Sequence, residues 1–137
     1  MSKVLIIEDD LSAMRMIGRI LVDAGHQTVE AIDGVDGLRR FRTEAPDLII
    51  TDLIMPKQEG IQVITDIRAS GDQTPIIAIS GGGSGAAGLY LSMAEELGAD
   101  AILAKPFRPS DLLSLVTELL DPEFKTDPAG ERSGAHS

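Results

Sequence analysis

The stretch Asp47-Leu48-Ile49-Ile50-Thr51-Asp52-Leu53-Ile54-Met55-Pro56 decides the fold. Four apolar or β-branched residues lead directly into the carboxylate of Asp52, and Pro56 ends the element four residues later. Continuous apolar runs of this kind are typical of strands that are buried on both faces of a parallel sheet. Asp52 is therefore predicted at the carboxyl end of such a strand, the edge at which open α/β sheets bind ligands. A role as a turn or capping residue is the alternative on this local pattern.

The composition fits a single domain with a core of ordinary size. The chain has 137 residues, of which 43% are hydrophobic and only 3% aromatic, so the core must be mostly aliphatic.

A net charge of −10 argues against a nucleic-acid partner, because phosphate contacts need Lys and Arg. The absence of cysteine excludes disulfides and thiolate metal sites. No apolar run approaches the roughly 20 residues of a membrane span, and the early acidic residues are unlike a signal peptide. We therefore expect a cytoplasmic protein without membrane association.

Short apolar runs that end in polar residues recur along the chain. Predicted strands at 4–7, 27–31, 48–51, 76–79 and 101–104 alternate with five predicted helices. This alternation predicts an α/β fold, a three-layer doubly wound parallel sheet with every strand's carboxyl end on one rim. Ser110 or Asp111 is the expected cap of the last helix. The domain is predicted to cover 1–121, followed by a disordered tail at 122–137. The apolar residues expected to face inward from the helices are Leu11, Met14, Ile17, Leu21, Leu38, Phe41, Ile61, Ile64, Ile67, Leu112, Leu115, Val116 and Leu119.

Polar functional groups follow four of the five predicted strands. Glu8 and Asp9 follow the first, Asp52 the third, Ser80 the fourth and Lys105 the fifth. Three carboxylates in one cleft repel each other, and a hard divalent cation removes that penalty. Magnesium would suit two or three carboxylates together with a backbone carbonyl. Because a nearby lysine and hydroxyl are typical of a phosphate site, the combination predicts transfer of a phosphoryl group onto Asp52.

Four motifs follow one another along the chain. They are Val4-Leu-Ile-Ile-Glu8-Asp9-Asp10, Asp47-Leu-Ile-Ile-Thr-Asp52-Leu-Ile-Met-Pro56-X-X-X-Gly60, Pro75-Ile-Ile-Ala-Ile-Ser80-Gly81 and Gly98-Ala-Asp-Ala-Ile-Leu-Ala-Lys105-Pro106-Phe107. In this order they resemble the receiver domain of two-component response regulators, and the resemblance covers about residues 3–120. The resemblance implies a flavodoxin-like fold with strand order 2-1-3-4-5.

The resemblance also implies roles for the acidic residues. Asp52 would accept phosphate from a histidine kinase or a histidine phosphotransfer protein. Glu8, Asp9, Asp52 and the backbone carbonyl of Ile54 would bind Mg²⁺. The protein would promote only its own phosphorylation and dephosphorylation, and would not be an enzyme acting on other substrates.

Two further residues receive roles by the same resemblance. Ser80 and Lys105 would contact the phosphoryl oxygens, and the bond between Lys105 and Pro106 is expected to be cis. No second domain is expected in this chain, so output would pass through a downstream protein docking on the surface. A role as an intermediate relay or phosphate sink is equally compatible.

The chain departs from the family pattern in two places. Ile102 lies three residues before Lys105, where family members commonly have a Tyr or Phe ring that moves on phosphorylation. The interval of 25 positions from Ser80 to Lys105 is also longer than usual, with the excess in the glycine-rich stretch that begins Gly81-Gly82. We hypothesise that ordering of this loop and the next helix replaces the ring as the signal. A passive insertion is the alternative.

Two other function classes were compared with this interpretation. The run Gly83-Ser84-Gly85-Ala86-Ala87-Gly88 spells the dinucleotide-binding pattern G-x-G-x-x-G, but it follows the fourth predicted strand and lacks an acidic residue about 20 positions later. Aspartyl phosphohydrolases of the haloacid-dehalogenase type place the nucleophile in Asp-X-Asp at the first strand and carry a cap domain. Asp52 follows the third predicted strand, and the chain leaves no room for a cap.

Overall fold

The computed structural model describes residues 2–53, 59–81, 92–121 and 123. Strands and helices alternate through these ranges, as the sequence predicts. The strands are β1 (Lys3–Ile7), β2 (Gln27–Ala31), β3 (Leu48–Asp52), β4 (Ile76–Ser80) and β5 (Ala101–Ala104). The helices are α1 (Leu11–Asp23), α2 (Gly34–Glu44), α3 (Glu59–Ala69), α4 (described over 92–97) and α5 (Pro109–Leu120).

The five strands form one sheet in the order β2-β1-β3-β4-β5, and all four pairings are parallel. This result confirms the predicted fold class and strand order. The register pairs Ile7 with Thr51, and Asp52 with Ile79. The residues that follow β1 therefore emerge beside the end of β3, on one rim of the sheet.

Two apolar layers cover the two faces of the sheet. Successive residues of a strand point to opposite faces, so Leu5 and Ile7 belong to one layer and Val4 and Ile6 to the other. The first layer includes the buried residues of α3, and the second includes those of α1 and α5. All five residues of β3 and of β4 are buried, as their unbroken apolar runs predict.

The prediction that Leu11 faces inward is wrong, because its side chain is 58% exposed. Leu11 is the first residue of α1 and follows the N-cap Asp10, whose side chain accepts a hydrogen bond from Ser12 N at 3.0 Å. Leu11 thus lies at the exposed start of α1 and is not part of the core layer beneath this helix. The next residues on the same face, Met14 and Ile17, are buried as expected.

The predicted cap of α5 is also wrong, because the N-cap is Arg108. Pro109 occupies the first helical position, which proline favours, and this places the cap two residues earlier than Ser110. Asp111 instead occupies the third position, where its Oδ2 accepts a hydrogen bond from Arg108 N at 2.9 Å. This backbone hydrogen bond is the main reason that the pKa of Asp111 is lowered.

Several predictions lie outside the described residues. These are the loop after Gly81, the start of the helix that follows it, the carbonyl of Ile54, and the tail apart from Glu123. Within the described ranges, none of the helices has both the length and the apolar character needed to cross a bilayer.

Candidate functional site

The structure brings Glu8, Asp9 and Asp52 together at the rim of the sheet. One carboxylate oxygen from each lies within 4.8 Å of the others. Glu8 and Asp52 are only 1% and 6% exposed, whereas Asp9 is exposed. The parallel pairing of β1 with β3 creates this arrangement, because both strands deliver their acidic residues to the same edge.

Lys105 lies between two of these carboxylates. Its Nζ donates to Glu8 Oε1 at 3.0 Å and to Asp52 Oδ2 at 2.9 Å. The backbone at Lys105 is held beside β4, since Lys105 N donates to Ser80 O at 2.8 Å. The bond between Lys105 and Pro106 is cis, as the resemblance implied. Hydrogen bonds to Asp52 and Glu8 raise the pKa of Lys105 even though desolvation, the largest single influence, lowers it. The side chain therefore carries its positive charge at neutral pH.

Glu8 is a buried acid with an unusual pKa. Its backbone N donates to Ala31 O at 3.0 Å, and its Oε2 accepts a hydrogen bond from Asp10 N at 3.1 Å. Burial raises the pKa of Glu8 from 4.5 to about 7, and the neighbouring charge of Asp52 also raises it. The hydrogen bonds from Asp10 and Lys105 lower the pKa but do not cancel the desolvation. A pKa this high leaves Glu8 only partly ionised at neutral pH.

The backbone around Asp52 is held from two directions. Thr51 Oγ1 donates to Asp52 O at 3.1 Å. Leu53 N donates to Ile79 O at 2.8 Å, which continues the pairing with β4 for one residue beyond the end of β3. The carboxylate of Asp52 is thus fixed by its strand and by Lys105, close to Glu8 and Asp9.

Ser80 provides a buried hydroxyl at the end of β4. It is 0% exposed, and its Oγ has no hydrogen-bond partner among the described residues. A buried hydroxyl without a partner is costly, so such groups usually have a functional explanation. A phosphoryl oxygen at the end of the neighbouring strand β3 would accept a hydrogen bond from the Ser80 hydroxyl.

The residues predicted to form the switch are only partly described. Ile102 lies in β5 opposite Ala78 and packs, partly buried, against the core layer that contains α3. Gly81 lies against the stem of Lys105, since a Cβ placed on it would be 3.1 Å from Lys105 Cδ. Gly82 lies outside the described residues. The switching role of all four residues, including Ser80, stays a prediction.

Two residues contribute to the site in ways that were not predicted from the sequence. Asp10 is the last residue of the first motif, and in the structure it caps α1 while its backbone N donates to Glu8 Oε2 and so orients that carboxylate. Its position just before the first turn of a helix was the available signal. Gly60 is in the sequence only the last residue of the second motif, yet in the structure it lies in direct contact with the backbone of Asp52. The need for a small residue in this contact could not be inferred without the tertiary structure.

The donor set fits a hard divalent cation. Three carboxylates face one ammonium group, which leaves excess negative charge in a largely buried site. Oxygen ligands of this kind are the ones that Mg²⁺ prefers. The arrangement can therefore hold a metal ion beside a carboxylate that is positioned to act as a nucleophile.

Comparisons with known proteins agree with this geometry. The family model for the response regulator receiver domain matches residues 4–117. The chain is 36% identical over 121 residues to the probable transcriptional regulator ycf27 of Cyanophora paradoxa, covering 86% of this chain and 48% of that protein. It is 33% identical over 115 residues to the transcriptional regulatory protein DltR of Streptococcus agalactiae, covering 83% and 50%. The chain thus spans about half the length of these relatives.

Solved structures show the same fold. A CheY-like response regulator receiver domain protein from Methanospirillum hungatei superposes with a TM-score of 0.80 at 26% identity, covering 93% of this chain and 99% of that one. A receiver domain protein from Clostridium thermocellum gives a TM-score of 0.83 at 25% identity, covering 93% and 100%. Because the sequence relatives are named as transcriptional regulators, the comparisons do not support our expectation, drawn from net charge alone, that nucleic acid plays no part.

Proposed function

The chain belongs to the response regulator receiver domain family, and on that premise we propose that Asp52 accepts a phosphoryl group from a phosphohistidine. The donor would be a histidine kinase or a histidine phosphotransfer protein, and the reaction would depend on Mg²⁺. Phosphorylation would then switch a surface that binds a downstream protein in the cytoplasm. The observation that carries this proposal is the cluster of Glu8, Asp9 and Asp52 around one point, with Lys105 on the acceptor.

The residues of the site account for each part of the transfer. A carboxylate oxygen of Asp52 attacks phosphorus while the bond from phosphorus to the donor imidazole nitrogen breaks, and that nitrogen keeps the electron pair. Lys105 then moves its charge from the free carboxylate of Asp52 to the phosphoryl oxygens. Ser80, whose hydroxyl has no partner among the described residues, donates to one of those oxygens.

A divalent ion completes the charge balance. Glu8, Asp9 and Asp52 would hold it, and the carbonyl of Ile54 is proposed as a further ligand. When bound, Mg²⁺ would supply positive charge that offsets the three carboxylates and the incoming phosphoryl group. Without it, Lys105 is the one cation hydrogen-bonded to Glu8 and Asp52 among the described contacts.

Labelling by a small phosphodonor tests the proposal. We expect acetyl phosphate with Mg²⁺ to phosphorylate the chain once, at Asp52, and EDTA to suppress the reaction. The product should be labile to hydroxylamine, as an acyl phosphate is. Asp52→Asn should abolish labelling. Asp47→Asn is the matched control, because Asp47 precedes the same strand at its other end, where its Oδ2 accepts a hydrogen bond from Lys3 N at 2.8 Å.

The same experiment separates the proposal from the phosphohydrolase alternative. A phosphoacceptor gives stoichiometric labelling, followed by slow loss of the phosphoryl group from its own Asp52. Many turnovers of a general substrate such as p-nitrophenyl phosphate, abolished by Asp52→Asn, would contradict our proposal that the protein is not an enzyme. Labelling that persists in Asp52→Asn would contradict the assignment of the acceptor.

A further inference from the structure

Gly60 lies in the first turn of α3 and is buried against the backbone that carries Asp52. A Cβ placed on Gly60 would be 2.1 Å from Asp52 O, 2.9 Å from Asp52 C and 2.7 Å from Leu53 Cα. All of these distances are well below the roughly 3.5 Å at which non-bonded carbon atoms pack. The φ angle of Gly60 lies outside the left-handed region that favours glycine. The contact, and not the backbone conformation, therefore requires glycine here.

The peptide group between Asp52 and Leu53 cannot withdraw from this contact without losing other interactions. Leu53 N donates to Ile79 O at 2.8 Å, and Asp52 O accepts from Thr51 Oγ1 at 3.1 Å. The oxygen that Thr51 holds is the same one that a Cβ on Gly60 would strike. Any movement of this peptide would strain the pairing of β3 with β4.

Helix α3 is also restrained on its inner face. Val63, Ile64 and Ile67 are each no more than 1% exposed and belong to the core layer beneath the helix. Packed cores resist displacement, so the overlap from an added methyl group would be divided between the helix and the Asp52–Leu53 peptide. Even a small displacement of that peptide would shift the acceptor carboxylate relative to Glu8, Asp9 and Lys105.

We propose that Gly60 is a positioning residue for phosphorylation. Its missing side chain lets α3 lie directly on the Asp52–Leu53 peptide, and this contact holds the Asp52 carboxylate at the correct distance from Glu8 and Asp9. The inference rests on the phosphoacceptor function proposed above. Rates of group transfer are sensitive to displacements of about 1 Å, so this contact controls the reaction as well as the fold.

The test compares Gly60→Ala with a matched control, Gly98→Ala. Gly98 has a φ of +122° and lies next to Arg68, where a Cβ would be 2.7 Å from Arg68 Cγ, so the control is also strained. It precedes β5 and therefore lies at the edge of the sheet opposite the site. For the wild-type chain and each variant, circular dichroism during urea unfolding gives the folded fraction. Labelling by acetyl phosphate and calorimetric titration with Mg²⁺ then give the rate and the dissociation constant per folded molecule.

We expect Gly60→Ala to lower the labelling rate per folded molecule at least tenfold and to weaken Mg²⁺ binding severalfold. Gly98→Ala should stay within twofold of the wild type in both. A purely structural role would lower the folded fraction and leave both site measurements unchanged. Labelling and Mg²⁺ binding of folded Gly60→Ala within twofold of the wild type would therefore overturn the inference. Failure to label the wild type would instead refute the proposed function.

A measurement on the wild type decides the question even if Gly60→Ala does not fold. Amide hydrogen exchange is followed by NMR with Mg²⁺ and beryllium trifluoride, which mimics the phosphoryl group on Asp52. If Gly60 couples the acceptor peptide to α3, amides in the second turn of α3, such as Val63 and Ile64, should exchange at least fivefold more slowly. Amides in the middle of α2 serve as the reference. Equal exchange of the α3 amides with and without the mimic would overturn the inference.

Discussion

Raising the pH from 6 to 8 is expected to tighten Mg²⁺ binding about tenfold, because Glu8 must lose its proton to act as a ligand. Burial raises the pKa of Glu8 to about 7. The ionised fraction then rises from about one-tenth at pH 6 to about nine-tenths at pH 8. With the ordinary pKa of 4.5, Glu8 would be almost fully ionised at both values and the affinity would barely change.

Isothermal titration calorimetry at pH 6, 7 and 8, in buffers of different ionisation enthalpy, measures both the affinity and the protons released. We expect nearly one proton per Mg²⁺ at pH 6 and about one-tenth of a proton at pH 8. Glu8→Gln should bind Mg²⁺ more weakly and without this pH dependence. His26→Gln is the control at a residue remote from the site, since His26 lies between α1 and β2, at the opposite edge of the sheet. An affinity that stays constant from pH 6 to 8 would exclude Glu8 as the titrating ligand, as would a pH dependence that survives in Glu8→Gln.

The same pKa shift has a consequence for stability in EDTA. The folded state binds the proton of Glu8 more tightly than the unfolded state does. This proton therefore contributes fully to the free energy of unfolding below pH 4.5, and the contribution is lost as the pH rises from 4.5 to about 7. The difference between the two pKa values corresponds to about 3 kcal/mol. Urea unfolding at pH 5 and pH 8 should show a loss of this order, and saturating Mg²⁺ should offset it at the higher pH.

Three substitutions give further predictions. Lys105→Ala removes a hydrogen bond that lowers the pKa of Glu8, so the midpoint of the pH dependence of Mg²⁺ binding should move above 7. In the same variant, Asp52 should still be labelled by acetyl phosphate, but binding of the downstream partner should no longer respond to phosphorylation. Ser80→Ala removes a hydroxyl without a partner among the described residues, so the free energy of unfolding should change by less than about 1 kcal/mol, whereas the rate of labelling should fall clearly. Arg68→Met breaks the largely buried pair that joins Arg68 Nη2 to Asp100 Oδ2 at 2.8 Å and should lower the free energy of unfolding by about 3 kcal/mol, with labelling per folded molecule unchanged.

The fold was predictable because each buried strand is visible in the sequence as a short continuous run of apolar residues. The apolar runs at 48–51 and 76–79 are buried at every position, so consecutive residues of the sequence were enough to predict that both strands are buried. The parallel arrangement then follows from the alternation of strands and helices. The exposure of Leu11 was not predictable in this way, because helical spacing does not show where the sheet ends beneath a helix.

The location of the site followed from the same topology. Glu8, Asp9 and Asp52 meet because parallel strands share a rim. The pKa of Glu8 could not be predicted, because it depends on burial that only the packed structure creates. The same holds for Gly60, whose contact joins two segments that the sequence shows only as a strand end and a helix start.

A crystal structure with Mg²⁺ and beryllium trifluoride bound would show whether Asp52 is the acceptor within this metal-binding cluster. We expect one Mg²⁺ bound by Glu8, Asp9 and Asp52, with beryllium bonded to a carboxylate oxygen of Asp52. We also expect Ser80 Oγ and Lys105 Nζ each to donate to a fluorine. A metal ion bound away from these three carboxylates, or a fluoride complex on any residue other than Asp52, would show that the proposed site is wrong.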